Sequence, residues 1–525
     1  MREFVLTADY FQSEAMNFVS KVYVQEVGRP DQTFELFSIA DVLTRFPRAR
    51  FTVYALKVFA RFLFDYLEKS GQTFGKDYTA LITERGDVYS VAVRGVSFVS
   101  FAKRTCLSED FEGLTFDPKA TIPSMIAARA DKTLQFMQNA LLQAFSMGLK
   151  KPTFSGNIKR DFCAGDKRRK AYLFPALSSY EFETCANSYK GGRAFISPEI
   201  HGDAIHERIH EYDIISAYPY YMRDFALPYG DPVRFEGRYE HDRRRPFYIQ
   251  KLRAEIKLKD GFSPSLRLKD HPVFGKTRYI TDTDSLCVTF CATSVELSEI
   301  AEYYTFSRVE FLGGYKFRAA HGLFDEYLAK WYAIKSSAKT ELEKHYAKHM
   351  LDNLGGFLGT RDDFVNLAPV LHEDTVYFER LPRSFGHNVY CPPIAFTTAR
   401  LRSAVNTIIQ HSNVLYTATD SFHIYAEDKP TQEAILNVYP LGNDMGCISL
   451  KRTYDYAKYF EQNFYVAHLE NTDTMRVVAA GVPRKYNQSI AHVNPGDILE
   501  IPGFIDITPA PGGAYIKKRT QLYKF

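Results

Sequence analysis

The segment Asp213-Ile-Ile-Ser-Ala-Tyr-Pro-Tyr220 decides how this chain is read. An apolar approach, Ile205 to Tyr212 with polar interruptions, carries a carboxylate to an expected strand end, and Tyr218-Pro219 then turns the chain. A carboxylate so placed can hold Mg²⁺, the amides that follow can face a triphosphate, and an aromatic ring can floor a sugar pocket. Nucleotidyl transfer with two metal ions needs these parts. A buried strand capped by a structural Asp would show the same letters.

The bulk numbers bound the reading. At 525 residues and 60.2 kDa the chain is too long for one ordinary core, so several subdomains are expected. A hydrophobic fraction of 45% with 24% charged residues is that of a soluble globular protein. The 35 Tyr and 42 Phe, beside the single Trp331, would serve base stacking or a plain aromatic core equally well. Net charge is only +4, so any nucleic-acid binding must come from local basic clusters. Of seven scattered cysteines only Cys287 and Cys291 lie close, without a second pair to complete a zinc site, and reduced thiols are expected. The N-terminus carries acids and no long apolar run, and no stretch reaches a membrane span. The expectation is a soluble, cytoplasmic protein with no membrane partner.

Along the chain, residues 1–155 read as mixed α/β, with a strand at Phe18–Val27 and helices at Tyr54–Lys69 and Asp131–Leu149. The basic stretch Ser155–Lys170 reads as a solvated linker or a backbone-contacting strip. Tyr189-Lys-Gly-Gly192 allows a close backbone approach, to a phosphate or in a simple turn. Residues 227–269 alternate like a β-rich module, 322–354 read as two Lys-rich helices, and 413–425 as strand–turn–strand.

The opening segment resembles the first palm motif of family B DNA polymerases, D-x-x-S-x-Y-P. The stretch Lys348-His-Met-Leu-Asp352-Asn353-Leu-Gly355-Gly356 resembles in part that family's fingers pattern K-x-x-x-N-S-x-Y-G, with Asp352, Asn353 and Gly355 in place of Asn, Ser and Tyr. Lys335 lies on the helix before it. Two segments compete for the Y-x-D-T-D-S hairpin that supplies the second carboxylate. Tyr279-Ile-Thr-Asp-Thr-Asp284-Ser285 matches better by letters, whereas Tyr416-Thr-Ala-Thr-Asp420-Ser421 has lost the first acid at Ala418. The family order places the hairpin after the Lys motif, and apolar strands flank the later segment, so Asp420 is chosen and 282–284 set aside. Lys458-Tyr-Phe460 is similar to the K-x-Y motif that holds the primer end, with Phe where Tyr is usual.

Kept in this order, further matches narrow the resemblance to the protein-primed family B polymerases of small linear-genome phages. They are Leu227–Tyr239, Gly314–Arg318, Gly322–Phe324, Lys330-Trp331, Tyr189–Gly192 and Pro511–Gly513. The resemblance implies a multidomain α/β (α+β) fold with right-hand architecture. Its parts would be an exonuclease-like domain at 1–155, palm at 156–224 and 389–481, an inserted β-rich module at 225–321, fingers at 322–359, a second insertion at 360–388 and a thumb at 482–525. It implies Asp213 and Asp420 as metal-holding catalytic acids, with two Mg²⁺ ions that Mn²⁺ can replace. It implies Ser216, Tyr218, Lys335, Lys348 and Asp352 at the nucleotide, and Tyr189, Gly191, Gly192, Lys458 and Phe460 at DNA. Partners would be DNA template and primer, dNTPs and a terminal priming protein.

The chain departs from that pattern in its first domain. Of three proofreading motifs there remain Asp9 without the following Glu, Tyr54–Phe59 without Asn or Asp, and Asp131 preceded by Ala127 where Tyr is expected. Stray acids of this number cannot hold two Mg²⁺ ions, so 3′→5′ proofreading is expected to be absent. A catalytically impaired nucleic-acid-binding protein, or a polymerase making untemplated or short products, remain alternatives.

Overall fold

The computed structural model describes residues 1–12, 17–107, 123–268, 271–275, 279–360, 366–382, 390–479, 482, 490–494 and 496–524. Both ends of the expected second insertion (361–365 and 383–389), part of the expected thumb (483–489) and the side chain of Ala127 lie outside this set.

The N-terminal unit is built on a seven-stranded sheet in the order 33–36, 17–26, 2–12, 49–53, 96–100, 88–93, 78–82. Its two parallel pairings, 2–12 with 49–53 and 49–53 with 96–100, place helix Leu56–Lys69 against the sheet as a crossover requires. That helix buries ten of its fourteen residues. Together with Leu134, Met137, Ala140 and Leu141 of helix Pro123–Ser146 it closes an aromatic-rich core.

The second large sheet has the order 475–479, 464–469, 448–461, 209–214, 421–425, 416–418, 194–196, with 204–205 pairing the long strand at its side. Helix Pro392–His411 packs against it; the Pro-Pro start suits a first turn whose amides would be unpaired anyway. A four-stranded sheet, in the order 227–235, 304–320, 247–258, 288–293, lies within residues 225–321, the stretch expected to be an inserted module. Helices Asp325–Ser336 and Glu341–Leu358 make an α-hairpin, the second capped by the Thr340 hydroxyl accepting from the Glu343 amide at 3.1 Å.

Residues 155–170 are not a linker. They fold as helices Phe154–Phe162 and Lys167–Leu173, capped by Thr153 and Asp166. Phe154, Ile158 and Phe162 join the core that contains Trp331 and Leu351, and Asp161 receives hydrogen bonds from Lys330 Nζ (2.5 Å) and Trp331 Nε1 (2.6 Å). On the first helix the basic residues stand on the outward face, so charge density hid the apolar spacing of Phe154, Ile158 and Phe162; the second helix buries none of its residues. Two hairpins lean on the N-terminal unit. The pair 367–372/375–380 contributes Leu367 and Val376 to its core, and the pair 498–510/513–524 contributes Ile516.

Candidate active site

Two turns bring the candidate acids together. Asp213 ends strand Ile209–Ile214, where it stands opposite Ser421 on one side and Ser449 on the other. Asp420 closes the tight turn between strands Tyr416–Ala418 and Ser421–Tyr425, its amide bonded to the Ala418 carbonyl at 2.8 Å. The Ile214 amide donates to the Asp420 carbonyl at 2.9 Å, which locks one turn to the other. Both turns hold a non-glycine residue in left-handed backbone: Ser216 at φ 51° and Thr419 at φ 63°. Such strain persists only where surrounding contacts over-determine it.

The charges converge. Burial, followed by the charges of Asp213 and Asp352, pushes the Asp420 carboxyl up to about 7. Burial also raises Asp213 and Asp352, opposed at Asp213 chiefly by Lys451 and at Asp352 by Lys348 and Lys335. Lys451 Nζ lies 3.9 Å from an Asp213 oxygen, and 35% of the Asp213 side chain stays exposed, so the pair faces the cleft mouth. Lys335 donates to the Ser216 hydroxyl at 2.8 Å, and burial lowers its ammonium. Three acids crowded to this degree repel one another, and a divalent cation would relieve the repulsion.

Among the described residues no three acids, histidines or cysteines converge into a ready-made metal cage. Two carboxylates with open positions nevertheless fit Mg²⁺, which is commonly held by one or two carboxylates and completed by waters and substrate phosphates. The donor set at Asp213 and Asp420 is of this kind.

The other expected site residues fall into two groups. Tyr218 is half-buried on helix Ala217–Asp224; burial takes its phenol up to about 12, and Tyr189, Arg402 and Asp420 lie within electrostatic reach. Tyr189 packs on Gly359 at the end of the fingers helix. Gly192 sits so tightly on the Asp420 turn that any Cβ would collide with the Thr419 hydroxyl, while the space at Gly191 is open. The second group lies apart from the cluster. Lys458 is 7% exposed and donates to Asn494 at 2.8 Å, and Phe460 is 4% exposed and stacked on Phe464 within a core shared with Ile490 and Ile501. The Phe460 ring is therefore turned into packing, not out toward a strand. Gly355 likewise faces the helix Pro392–His411, where a Cβ would approach Ile394 to 2.7 Å. Its lack of a side chain permits close helix packing. Asp282 and Asp284, the better letter match, sit in a loop of the inserted module, with the Asp284 amide bonded to Asp282 at 2.8 Å and Lys257 3.9 Å from Asp282.

The sequence reading missed three groups. Lys451 reaches Asp213 only because strand 448–461 pairs with 209–214 in this register. Glu211, two residues before Asp213, is buried and held by Arg452 at 2.7 Å and by the Tyr454 hydroxyl. Glu296 anchors the Tyr189–Gly192 loop: it accepts from Lys190 at 3.1 Å and from Arg402 at 2.6 Å, and Arg402 also donates to the carbonyls of Lys190 and Gly191. Burial alone would raise the Glu296 carboxyl, but the two cations hold it down at about 2. The i to i+3 spacing Thr293 to Glu296, a capping box, was the only local signal for it.

The sequence profile of the family described as "DNA polymerase type B, organellar and viral" matches residues 131–434, more than half the chain and all of the acid- and lysine-bearing elements of the cluster except Lys451. The chain belongs to this family. Among its relatives, the DNA polymerase of Bacillus phage B103 is 32% identical over 339 residues, covering 63% of this chain and 58% of the relative. That of Bacillus phage phi29 is 29% identical over 359 residues, 67% of this chain and 61% of the relative. The aligned region thus spans less than two thirds of these relatives' length. The fold agreement is wider: phi29 DNA polymerase solved with primer-template DNA superposes with a TM-score of 0.89 over 99% of both chains at 22% identity. This type B polymerase chain therefore has the right-hand fold.

Proposed function

We propose that the protein is a DNA-directed DNA polymerase that extends a 3′-hydroxyl, or the hydroxyl of a priming protein, and lacks 3′→5′ proofreading. The observation that carries this is the convergence of Asp213 and Asp420 on two interlocked turns, faced by Lys335, Lys348 and Lys451. The phi29 polymerase, with the same fold, has been solved with primer-template DNA and incoming nucleotides, which supports the same substrates here.

In this reading Asp213 and Asp420 hold two Mg²⁺ ions, which Mn²⁺ can replace; the bound metal would ease deprotonation of the attacking hydroxyl and offset charge on the departing pyrophosphate. The chain supplies the rest. Lys335 and Lys348 offset the negative triphosphate, and Lys335 is held at the Ser216 turn by the hydrogen bond described above. The Tyr218 ring occupies the space that a ribose 2′-hydroxyl would need. Asp352 keeps the lysines charged and oriented. The loop 189–192 is clamped by Arg402 onto the Asp420 turn, where it would fix the template relative to the acids. The inserted segments at 225–321 and 360–388 and the thumb at 482–525 are read as the surfaces that handle DNA and a terminal protein.

The deciding experiment is primer extension with Mg²⁺ and all four dNTPs on a primed template, with Asp213→Ala and Asp420→Ala as controls. Templated extension lost in both variants is the expected result. Retained primer-template binding without any nucleotide addition would replace this reading with that of a DNA-binding relative.

A further inference from the structure

The inserted module holds a cavity of about 490 Å³ whose charge is one-sided. Its floor is one face of a β-ladder, where Lys251 pairs with Cys291 and Arg253 with Thr289. Lys251 and Arg253 are two residues apart on the strand, hence on the same face and about 7 Å from each other, while the alternate residues Leu252 and Ala254 point into the module core. The loop after this strand folds over the ladder and adds Arg267 and His271. Lys251, Arg253 and Arg267 have no side-chain hydrogen bond or ion pair among the described residues. Among the described residues the nearby acids are otherwise engaged or peripheral: Glu296 is held by Lys190 and Arg402, and Glu183 acts on Cys291 from an exposed position on helix Ser179–Ser188.

His271 is set as a donor. Its Nδ1 accepts from the amides of Val273 and Phe274, both at 3.2 Å, so the neutral ring carries its proton on Nε2. Three cations without an ion pair among the described residues repel one another around one concavity beside a fixed N–H, and an anionic occupant would relieve that cost. Two guanidinium forks with an ammonium and an imidazole suit phosphate oxygens better than a single carboxylate. A solvated basic surface would have the same letters, but here the groups converge on a concavity of the size that small ligands occupy. None of the palm lysines (Lys335, Lys348, Lys451) lines it.

The geometry points to a second phosphate-binding site, in the inserted module and separate from the palm, with Lys251, Arg253, Arg267 and His271 as its ligand-contacting groups. The phosphate would be borne either by a DNA strand or by a free oligophosphate.

Cys287, partly exposed in the cavity wall, is a natural reporter, and the exposed Cys163, the C-cap of helix Phe154–Phe162 and outside the cavity, is an internal control. The full-length protein in EDTA would be alkylated with iodoacetamide, and each site followed by peptide mass spectrometry. Sodium tripolyphosphate and a single-stranded oligodeoxynucleotide would be titrated in separate arms against matched NaCl. The expected result is saturable slowing at Cys287, about tenfold when the ligand stands at ten times its Kd, with Cys163 unchanged. Lys251→Gln/Arg253→Gln/Arg267→Gln, checked for folding by its thermal transition, should lose the protection. If the oligonucleotide protects, the salt slope of its binding should fall by about 2 in that triple variant, and the source is DNA. Protection by tripolyphosphate alone identifies a free oligophosphate. Absence of protection in both arms, or equal protection in the triple variant, overturns the proposal. Should the triple variant unfold, Arg253→Gln alone carries the same comparison.

Discussion

The sheet that carries Asp213 and the N-terminal sheet both hold acids, and they surround them differently. Around Asp420 stand two further carboxylates, from a strand and a helix distant in sequence, and three lysines balance them. Asp9, on strand 2–12, faces Lys21 across the ladder and is hydrogen-bonded by the Tyr23 hydroxyl; burial and the charges of Asp9, Glu35 and Asp131 raise that phenol. One region concentrates like charges against their own repulsion, an arrangement that a bound cation can repay. The other sets its acids around a phenol: Asp9, Glu35 and Asp131 all act on Tyr23, with Lys21 opposite Asp9 on the ladder. The difference teaches that a candidate cation site is picked out by carboxylates whose protonation is raised by one another's charge and opposed by nearby lysines, more than by a motif letter alone.

The comparison can be broken most severely at the palm acids. Asp213→Ala and Asp420→Ala should each lower the rate of nucleotide addition by about a thousandfold or more, as happens when a principal stabiliser of transition-state charge is removed. Single-turnover primer extension measures this, and retained activity in either would undo the two-acid reading. At the nucleotide, Tyr218→Val should raise the rNTP over dNTP ratio of kcat/KM by about ten- to a hundredfold, since emptied space is worth ~1–3 kcal/mol of discrimination. Lys335→Ala should weaken use of every dNTP by about tenfold, the scale of one lost charged hydrogen bond, read as the same loss in kcat/KM across all four. The N-terminal side of the comparison is sharpened by a null. End-labelled single-stranded DNA with Mg²⁺ or Mn²⁺ should show no shortened ladder, and degradation that vanishes in Asp9→Ala would restore proofreading to this domain. Smallest of all, Asp284→Ala should leave extension close to that of the unaltered protein.

Stability offers a separate handle. The Glu296 carboxyl is held at about 2 in the fold, below its ordinary 4.5. A depressed carboxylate contributes stability that is full above its unfolded pKa and is lost as pH falls through the folded value. Removing one partner of such a buried pair costs ~3–5 kcal/mol. Glu296→Gln should therefore lower the denaturation midpoint at pH 7 and flatten the fall in stability between about pH 4.5 and 2, as urea melts across that range would show.

How much was legible follows from what each residue depends on. The strand end that carries Asp213 could be read because its signal is local: an apolar strand, a carboxylate and a Tyr-Pro turn. Asp420 required sequence order as well, since the letters alone favoured Asp284. The helices at 325–336 and 341–358 and the hairpin at 416–425 stand as their patterns predict. Lys451 was invisible because its role depends on which strand pairs with which. The burial of Phe460 could not be read because it is decided by neighbours up to forty-one residues away, Ile501 among them. The basic helices at 154–173 were hidden by the charge on their outer faces.

The docking of two hairpins on the N-terminal unit has a consequence for shortening this protein. Gly512 fits so closely under the Asn17 carbonyl, and Gly513 against the Phe62 ring, that neither position leaves room for a Cβ. On another side, Arg61 lies 3.6 Å over the Phe378 ring and the Ile82 amide donates to Asn366 at 2.8 Å. Cutting away the first 150 residues would not release a smaller working enzyme. It would expose Leu367, Val376 and Ile516 to water and leave both hairpins with nothing to rest on, which is reason enough for the domain to be kept whatever its own chemistry.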